Sequence, residues 1–531
     1  SLYDFAMLEA EFLDQLKEGK LDDFLEGLKL VLVDEYQDSN LLQEQIYFQL
    51  ARAAINNGGS MTVVGDDDQS LYRFRGATVD LFTSFQERFQ QEMPQAPQPR
   101  VIYLSQNYRS TGNIVQFCNQ FAQLDQEFQE ARVRDKPAIK PERTPPLTEF
   151  PILGMFREDV ETLATDLSSF IWQVVCGEGY RVQDYVIKVN PDEGSPTDLS
   201  ILLSSPQEQA YTNKKLPYYL REKLKIPIFN PRGQSLEKTW EASVLCGLML
   251  DCIDPECEIQ NSIEKLPYTA TKNFKSWRKT AREFVETNPE PETPISLKQF
   301  VDAWQGRQPL GRNTWKRDVP LLDLAYKLVT WIPTLQDDVE GLVYLEAITR
   351  TIAETALFSN YGGELVFDKK FPELECYSIK EAFWNIFVPL ANGAIKVDEG
   401  LLDTLPDNRI NVMSIHQSKG LEFPLVVVDI CSDFRTNHPK NAFKRFPDDG
   451  GKSCTMEDEI RSCSPLGLPP RTGRDRAFDD LIRHYFVAYS RAQDVLLLIG
   501  LTTYPDIPNV ATGWTRNEAW PWDGLDNLFL I

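Results

Sequence analysis

Two acids stand side by side at the end of an apolar run, in Val31-Leu-Val-Asp34-Glu35-Tyr36-Gln37-Asp38. A strand that delivers carboxylates at its C-terminal end places them where open α/β sheets hold their ligands. One carboxylate there can hold Mg²⁺, partly through water, and the next can orient or deprotonate an attacking water. Acids also follow buried strands simply to cap the next helix, so this segment alone leaves both readings open. A second segment narrows the choice: Met61-Thr-Val-Val-Gly65-Asp66-Asp67-Asp68-Gln69-Ser70-Leu71-Tyr72-Arg73-Phe74-Arg75-Gly76-Ala77. A Gln on a strand-end loop can sense a terminal phosphate or position water, and Tyr72 and Phe74 offer π-faces on which bases can stack. Two aromatics two apart also suit a half-buried strand. The flanking Arg73, Arg75 and Gly76 fit an exposed binding loop better.

The elements that must position these groups read as α/β. Leu30–Val33 and Met61–Val64 are strand-like, and Ser39 can cap a helix with apolar positions Leu42, Ile46 and Leu50. Ala77–Phe89 reads as a helix, and Val101–Leu104, Leu199–Leu203, Leu425–Ile430 and Val495–Ile499 are further strand candidates. Apolar runs without alternation suit a parallel sheet covered on both faces. From about residue 234 to 407 the period turns helical, as in Glu237–Asp251, Ile295–Trp304 and Leu321–Trp331. Proline-rich stretches at Met93–Arg100, Pro137–Pro146 and Glu286–Ser296 mark loops or joints.

Composition bounds the partners. A chain of 531 residues suggests three or four domains, and 42% hydrophobic residues suffice for sizeable cores. Lys plus Arg number 55 and Asp plus Glu 79, so 55 − 79 gives −24. A chain gripping nucleic acid with its whole surface should be basic, so any such site must be local. Nine cysteines and three histidines (His416, His438, His484) give neither a disulfide framework nor a Cys/His metal spacing. No apolar run approaches the ~18 residues of a membrane span, and the acidic N-terminus has no secretory pattern. The expectation is a soluble, cytoplasmic, multidomain protein without a membrane partner.

The two acidic segments resemble motifs II and III of superfamily 1 DNA helicases of the UvrD/Rep type, and three later segments follow in the order of that family. Tyr103-Leu-Ser-Gln-Asn107-Tyr108-Arg109-Ser110-Thr111 resembles motif IV. Asn411-Val-Met-Ser-Ile-His416-Gln-Ser-Lys419-Gly420-Leu421-Glu422-Phe423-Pro424 resembles motif V, and Arg483-His-Tyr-Phe486-Val487-Ala-Tyr-Ser490-Arg491-Ala492 resembles motif VI. The resemblance implies ATP and Mg²⁺ as cofactors, with single-stranded DNA and duplex junctions as partners. It makes Asp34 the Mg²⁺ ligand, Glu35 the catalytic carboxylate and Gln69 the reader of the γ-phosphate or attacking water. Tyr108 would stack on adenine, Arg109 would contact the γ-phosphate, Glu422 would approach the ribose beside the Lys419-Gly420 turn, and Arg491 would be the arginine finger. Guanidinium suits the last task because its planar fork pairs phosphate oxygens. Tyr72, Phe74, Arg75 and His416 would face the single strand, although His416 also fits a structural histidine.

The implied fold is α/β: two RecA-like P-loop NTPase lobes, the first incomplete, with a mainly helical domain inserted in the second. Residues 1–100 would be the C-terminal part of the first lobe. The second lobe would comprise 101–233 and 408–531, with 234–407 as the inserted domain. The family implies 3′-to-5′ translocation and a place in DNA repair. Some positions depart from its pattern: Ser490 replaces a common Thr, Phe74 a frequent Trp, and Asp480 and Arg483 keep one acid and one arginine where the family has more. The larger departure is that no G-x-x-x-x-G-K-[ST], the backbone cradle for phosphates, occurs. Gly450-Gly451-Lys452-Ser453 lacks the earlier glycine, Phe446 standing there instead, and lies after motif V. Leu2-Tyr3-Asp4-Phe5 resembles the family just before motif II, and Ser1 replaces an initiating Met, so the chain is expected to start inside the first lobe. The 531 residues alone are then expected to lack ATPase. A non-catalytic scaffold, or a split subunit whose phosphate cradle sits on another polypeptide, is the alternative.

Overall fold

A computed structural model describes residues 4–73, 76–123, 126–144, 149–182, 184–188, 194–210, 213–310, 314–398, 406–430, 432, 461–469, 471–502 and 528–531. The chain divides into two compact units. One comprises Ser1–Ser205, Tyr219–Ile226 and Val412–Ile531, and the other Pro206–Tyr218 and Pro227–Asn411. Among the described residues no helix is long and apolar enough to cross a membrane.

The first unit carries a small parallel sheet of β1 (Leu30–Val33) and β2 (Ser60–Val63), in register from Leu30 against Ser60 to Val33 against Val63. Val31 and Val33 turn inward onto Tyr36, Ala54 and Leu81, while Leu30 and Leu32 are exposed. The non-alternating run thus covers one face only, a correction to the expectation of burial on both faces for this pair. Helix α1 (Leu41–Asn56) is capped by Asn40 rather than Ser39. The Asn40 side chain accepts from the Gln43 backbone and the Gln43 side chain accepts from the Asn40 N–H, a reciprocal capping box. The helix expected over 77–89 is broken at Ser84 into Val79–Thr83 and Phe85–Glu92. Val101–Leu104 forms no strand; all four side chains are exposed and thus lack the buried face that holds a strand.

The same unit holds most of a larger sheet: β3 (Ile152–Arg157), β4 (Leu199–Leu203), β5 (Ile410–Ser414, in this unit from Val412 on), β6 (Phe423–Asp429), β7 (Ala492–Leu501) and β8 (Leu528–Leu530). Its strands lie in the order β5-β4-β6-β7-β3-β8, and every pairing from β4 to β8 is parallel. Leu199–Leu203 is buried throughout and so is nearly all of β6 and β7, as expected where helices cover both faces. Helix α2 (Gly112–Gln123) and helix α3 (Gly473–Tyr489) flank it. Tyr489 packs edge-on against Phe117 and Phe121, with ring centroids 5.0 Å apart in each case. This mixed α/β chain with a large parallel sheet fits a RecA-like helicase fold.

The second unit is mainly helical. Trp240–Ile253 is buried on every side from Ala242 onward and crosses Tyr268–Glu286 closely. A Cβ on Gly247 would lie 2.2 Å from the Trp277 carbonyl oxygen, so only glycine fits. Asp251 on the buried helix is paired with Arg278 and Arg282 at 2.8 Å. Leu297–Gln305, Leu321–Val329, Val339–Thr355 and Glu373–Ala382 complete the bundle around Trp277, Trp331, Phe274, Phe383 and Phe387.

Candidate active site

The turn after β1 puts Asp34 and Glu35 on the surface while Tyr36 and Gln37 plunge inward. Glu35 adopts a left-handed conformation (φ +50), and its backbone N–H donates to Asp34 Oδ1 at 2.8 Å. A non-glycine residue held there carries backbone strain of the kind found at functional sites. Gln37, fully buried, donates through Nε2 to the Glu35 carboxylate and accepts at Oε1 from the Asp66 N–H at 3.0 Å. Gly65 leaves room beside it: a Cβ there would lie 2.4 Å from Gln37 Oε1 and push it away from the Asp66 N–H. The loop after β2 is thereby stitched to the loop after β1. Gln69 donates from Nε2 to Asp66 Oδ2 at 2.7 Å.

Groups from the larger sheet's loops converge on these acids. Lys419, nearly buried after β5, donates to Asp38, lies 3.1 Å from Glu35 and reaches the Gln69 carbonyl at 3.2 Å. Burial pushes the Asp38 carboxyl up, against the Lys419 ammonium that pulls it down. Arg491, 1% exposed, donates to Gln69 Oε1 at 3.2 Å and to the carbonyls of Val487 and Leu421 at 3.0 and 3.2 Å. Burial pulls its guanidinium down to about 10, with Arg109 pushing the same way, so it remains charged at neutral pH. Arg109 pairs with Glu422 at 2.5 Å and donates to the Ser490 carbonyl at 3.3 Å. Its hydrogen bond holds the Glu422 carboxyl below the usual carboxylate range. Tyr108 is 70% exposed beside this pair, its hydroxyl donating to Gln106, and Gly420 takes a positive φ of 84.

Thus Glu35, Gln69 and Arg491 are joined through hydrogen-bonded neighbours, Arg109 and Glu422 form an adjoining pair, and Asp34 stands at the exposed rim. The aromatic side is partly in view: Tyr72 lies 6.4 Å from His416 between ring centroids, Lys419 sits over the Tyr72 ring at 5.5 Å, and His416 lies 4.8 Å from His484. Phe74, Arg75 and Gly450–Ser453 lie outside the described residues. The oxygen donors of the rim suit Mg²⁺, which takes one or two carboxylates and keeps several waters; Asp34 has an oxygen to give. Asp66, Asp67 and Asp68 also bring carboxylates within 4.8 Å of one another, but Lys136 already contacts all three.

The model of the UvrD/REP helicase N-terminal domain family matches residues 1–90, the part that bears Asp34, Glu35 and Gln69. An ATP-dependent helicase/nuclease subunit from Alkaliphilus oremlandii is 22% identical over 96% of this chain and 42% of its own length. The protein of the same name from Listeria innocua is 24% identical over 94% of this chain and 42% of its own. The RecB polypeptide of the RecBCD enzyme of Buchnera aphidicola is 24% identical over 85% and 37%. These matches support a UvrD-type helicase. The chain spans about two-fifths of the length of the curated relatives it matches. The sequence alone left Gln37, Asp38, Asp66 and Lys136 without a role and marked Lys419 only as a turn. Gln37 and Asp38 sit inside motif II, so their spacing could have drawn notice. Lys136 sits in a proline-flanked stretch with no motif, and only contacts 68 to 70 residues away reveal it.

Proposed function

We propose that the protein carrying this chain is an ATP-dependent DNA helicase or translocase that couples ATP hydrolysis to 3′-to-5′ movement on single-stranded DNA. The observation that carries the reading is the convergence of Arg491 and Lys419 on Gln69 and Glu35. Phosphoryl transfer needs positioning and charge stabilisation more than covalent chemistry, and this cluster offers both. Asp34 would hold Mg²⁺, which when bound neutralises charge on the phosphate oxygens. Glu35 would orient and deprotonate the attacking water, and Gln69 and Arg491, already hydrogen-bonded, would share the terminal phosphate. Arg109 would add a second guanidinium, Tyr108 would stack on adenine, and Glu422 with Gly420 would approach the ribose. Tyr72 and His416, with Phe74 and Arg75, would face the single strand.

In this reading residues 1–100 belong to a first RecA-like lobe, 101–233 and 408–531 to a second, and 234–407 to a helical insertion. The separate helical unit at Pro227–Asn411 supports that division. The test is steady-state ATPase of the full-length gene product with and without single-stranded DNA. Turnover should rise with DNA and be abolished by Glu35→Gln while nucleotide binding persists; no stimulation by DNA would remove the motor reading.

A second reading, a non-catalytic scaffold or split subunit, draws on the lack of G-x-x-x-x-G-K-[ST] within the 531 residues. By the same token these residues alone should bind ATP poorly and turn over none. An in-frame phosphate-cradle sequence upstream of the Ser1 codon would sink the scaffold.

A further inference from the structure

The loop that presents Gln69 is held by a cation that no motif contains. We propose that Lys136 is a positioning residue for Gln69, acting through the carboxylate of Asp66. This rests on the reading of Gln69 as the γ-phosphate or water sensor and adds the group that aims it.

The two ends of the Gln69 amide are told apart by their partners. A carboxylate only accepts and a guanidinium only donates, so Nε2 must face Asp66 and Oε1 must face Arg491. The aim of the amide therefore depends on where Asp66 stands. Asp66 Oδ2 receives Gln69, while Oδ1 receives Lys136 Nζ at 2.5 Å and the Asp68 N–H at 3.1 Å. The Asp66 N–H reaches Gln37, whose other end holds Glu35. One aspartate thus links the catalytic carboxylate, the sensor amide and, through that amide, the arginine finger.

Lys136 is what lets Asp66 stay there. Three carboxylates crowded together repel one another, and an ammonium has three protons to give. Lys136 spends one on each, at 2.5, 2.6 and 2.7 Å to Asp66, Asp67 and Asp68. Burial pulls its ammonium down, but the three carboxylates outweigh that and raise it above the ordinary lysine value. Its neighbours have further support. Asp68 is forked by Arg132 at 2.6 and 2.7 Å, and Asp67 accepts from the Val133 N–H at 2.6 Å. Among the described residues Lys136 is the one cation in ion-pair contact with Asp66; Arg132 and Arg491 act on it only at longer range. The two clasps are therefore separable: Arg132 secures the loop's far end, and Lys136 sets the residue that touches Gln69.

The experiment is DNA-stimulated ATPase of the full-length protein. Lys136→Ala should lower kcat by about tenfold to a hundredfold with KM for ATP within about twofold, the scale of a misplaced catalytic group. Lys136→Arg, which keeps a cation, should recover most of the rate. Combining Lys136→Ala with Gln69→Ala should cost no more than Gln69→Ala alone, because both act through one amide. Arg132→Ala breaks the Asp68 fork but leaves the direct Lys136 contact to Asp66, so it should keep kcat within about twofold. A kcat for Lys136→Ala within twofold of wild type, full additivity with Gln69→Ala, or an equal fall in Arg132→Ala would each overturn the proposal. If wild type shows no turnover sensitive to Glu35→Gln, the motor reading has failed by itself. Hydrogen exchange over residues 65–71 then decides on Lys136. Faster exchange in Lys136→Ala but not in Lys136→Arg supports its hold on the loop, and unchanged exchange overturns it.

Discussion

Leu30–Val33 and Leu199–Leu203 are both apolar runs ending at polar loops, yet the first alternates exposed and buried side chains and the second is buried at every position. The large sheet is fixed by its own interior. The small sheet has one packed face, and its loops are fixed instead by charged groups from elsewhere in the same unit: Lys419 on Glu35 and Asp38, Arg132 and Lys136 on Asp66–Asp68, and Arg483 on the Asp67 carbonyl at 2.9 Å. Hydrophobic burial is non-directional and indifferent to a ligand. Ion pairs at a cleft can be exchanged for phosphate contacts. On the reading proposed above, the acids that would handle ATP stand on the element held by such ion pairs, and the large sheet is the frame beside it.

That contrast breaks most simply in the frame. Leu497 at the centre of β7 is fully buried and pairs across to Val427 and Leu153. Leu497→Ala should cost about 2–5 kcal/mol through lost transfer energy and a cavity, read as a lower urea midpoint. A loss under about 1 kcal/mol would mean that the large sheet is not the frame.

The ties of the small sheet come next. Lys419→Met removes the only cation within reach of the half-buried Asp38 among the described residues, leaving one hydrogen bond from the Leu71 N–H at 3.3 Å. An unsatisfied buried acceptor costs about 1–3 kcal/mol. The cost should depend on pH with a definite sign. Burial already raises the Asp38 carboxyl, and without Lys419 it would stand higher still, above its unfolded value of about 3.9. A raised folded-state carboxyl penalises folding fully above the folded pKa, and the penalty fades as pH falls toward the unfolded value. The gap between wild type and Lys419→Met should therefore narrow from pH 7 toward pH 4. A gap that widens on acidification would show that Asp38 is not the group left behind.

What the sequence made legible follows the same divide. Asp34, Glu35 and Gln69 drew notice because acids and an amide follow apolar runs, and Arg109, Glu422 and Arg491 because their segments resemble helicase motifs; the structure brings Glu35, Gln69 and Arg491 close together, with Arg109 and Glu422 paired beside them. Strands β4, β6 and β7 were legible from the largely apolar runs Leu199–Leu203, Leu425–Ile430 and Val495–Ile499, interrupted only by Ser200 and Asp429. Val101–Leu104 has that signature too and forms no strand, because apolarity records a capacity for burial and not the presence of a partner. Asn40 took the cap from Ser39 because Gln43 is at the distance that lets a capping box close on it. Lys136 was invisible because its meaning lies in three carboxylates near 70 residues away and in no periodicity.

The smallest expected effect tests the outer face of the small sheet. Leu32 is 69% exposed and Leu30 53% exposed, on the side of β1 away from Tyr36. A side chain that buries little contributes little, so Leu32→Ser in the 531-residue chain should change the melting midpoint by no more than about 0.5 kcal/mol equivalent. Its effect should lie in association instead. Contiguous exposed apolar side chains on a two-stranded sheet favour sticking to other copies, and Val64, just past β2, adds a third at 47% exposure. Sedimentation of the 531-residue chain at increasing concentration should show weaker self-association for Leu32→Ser than for wild type, with unchanged melting at low concentration. If melting instead falls by more than about 1 kcal/mol at every concentration, Leu32 is covered within the folded chain itself. The small sheet would then have two packed faces like the large one, and the difference in how the two sheets hold their loops would vanish.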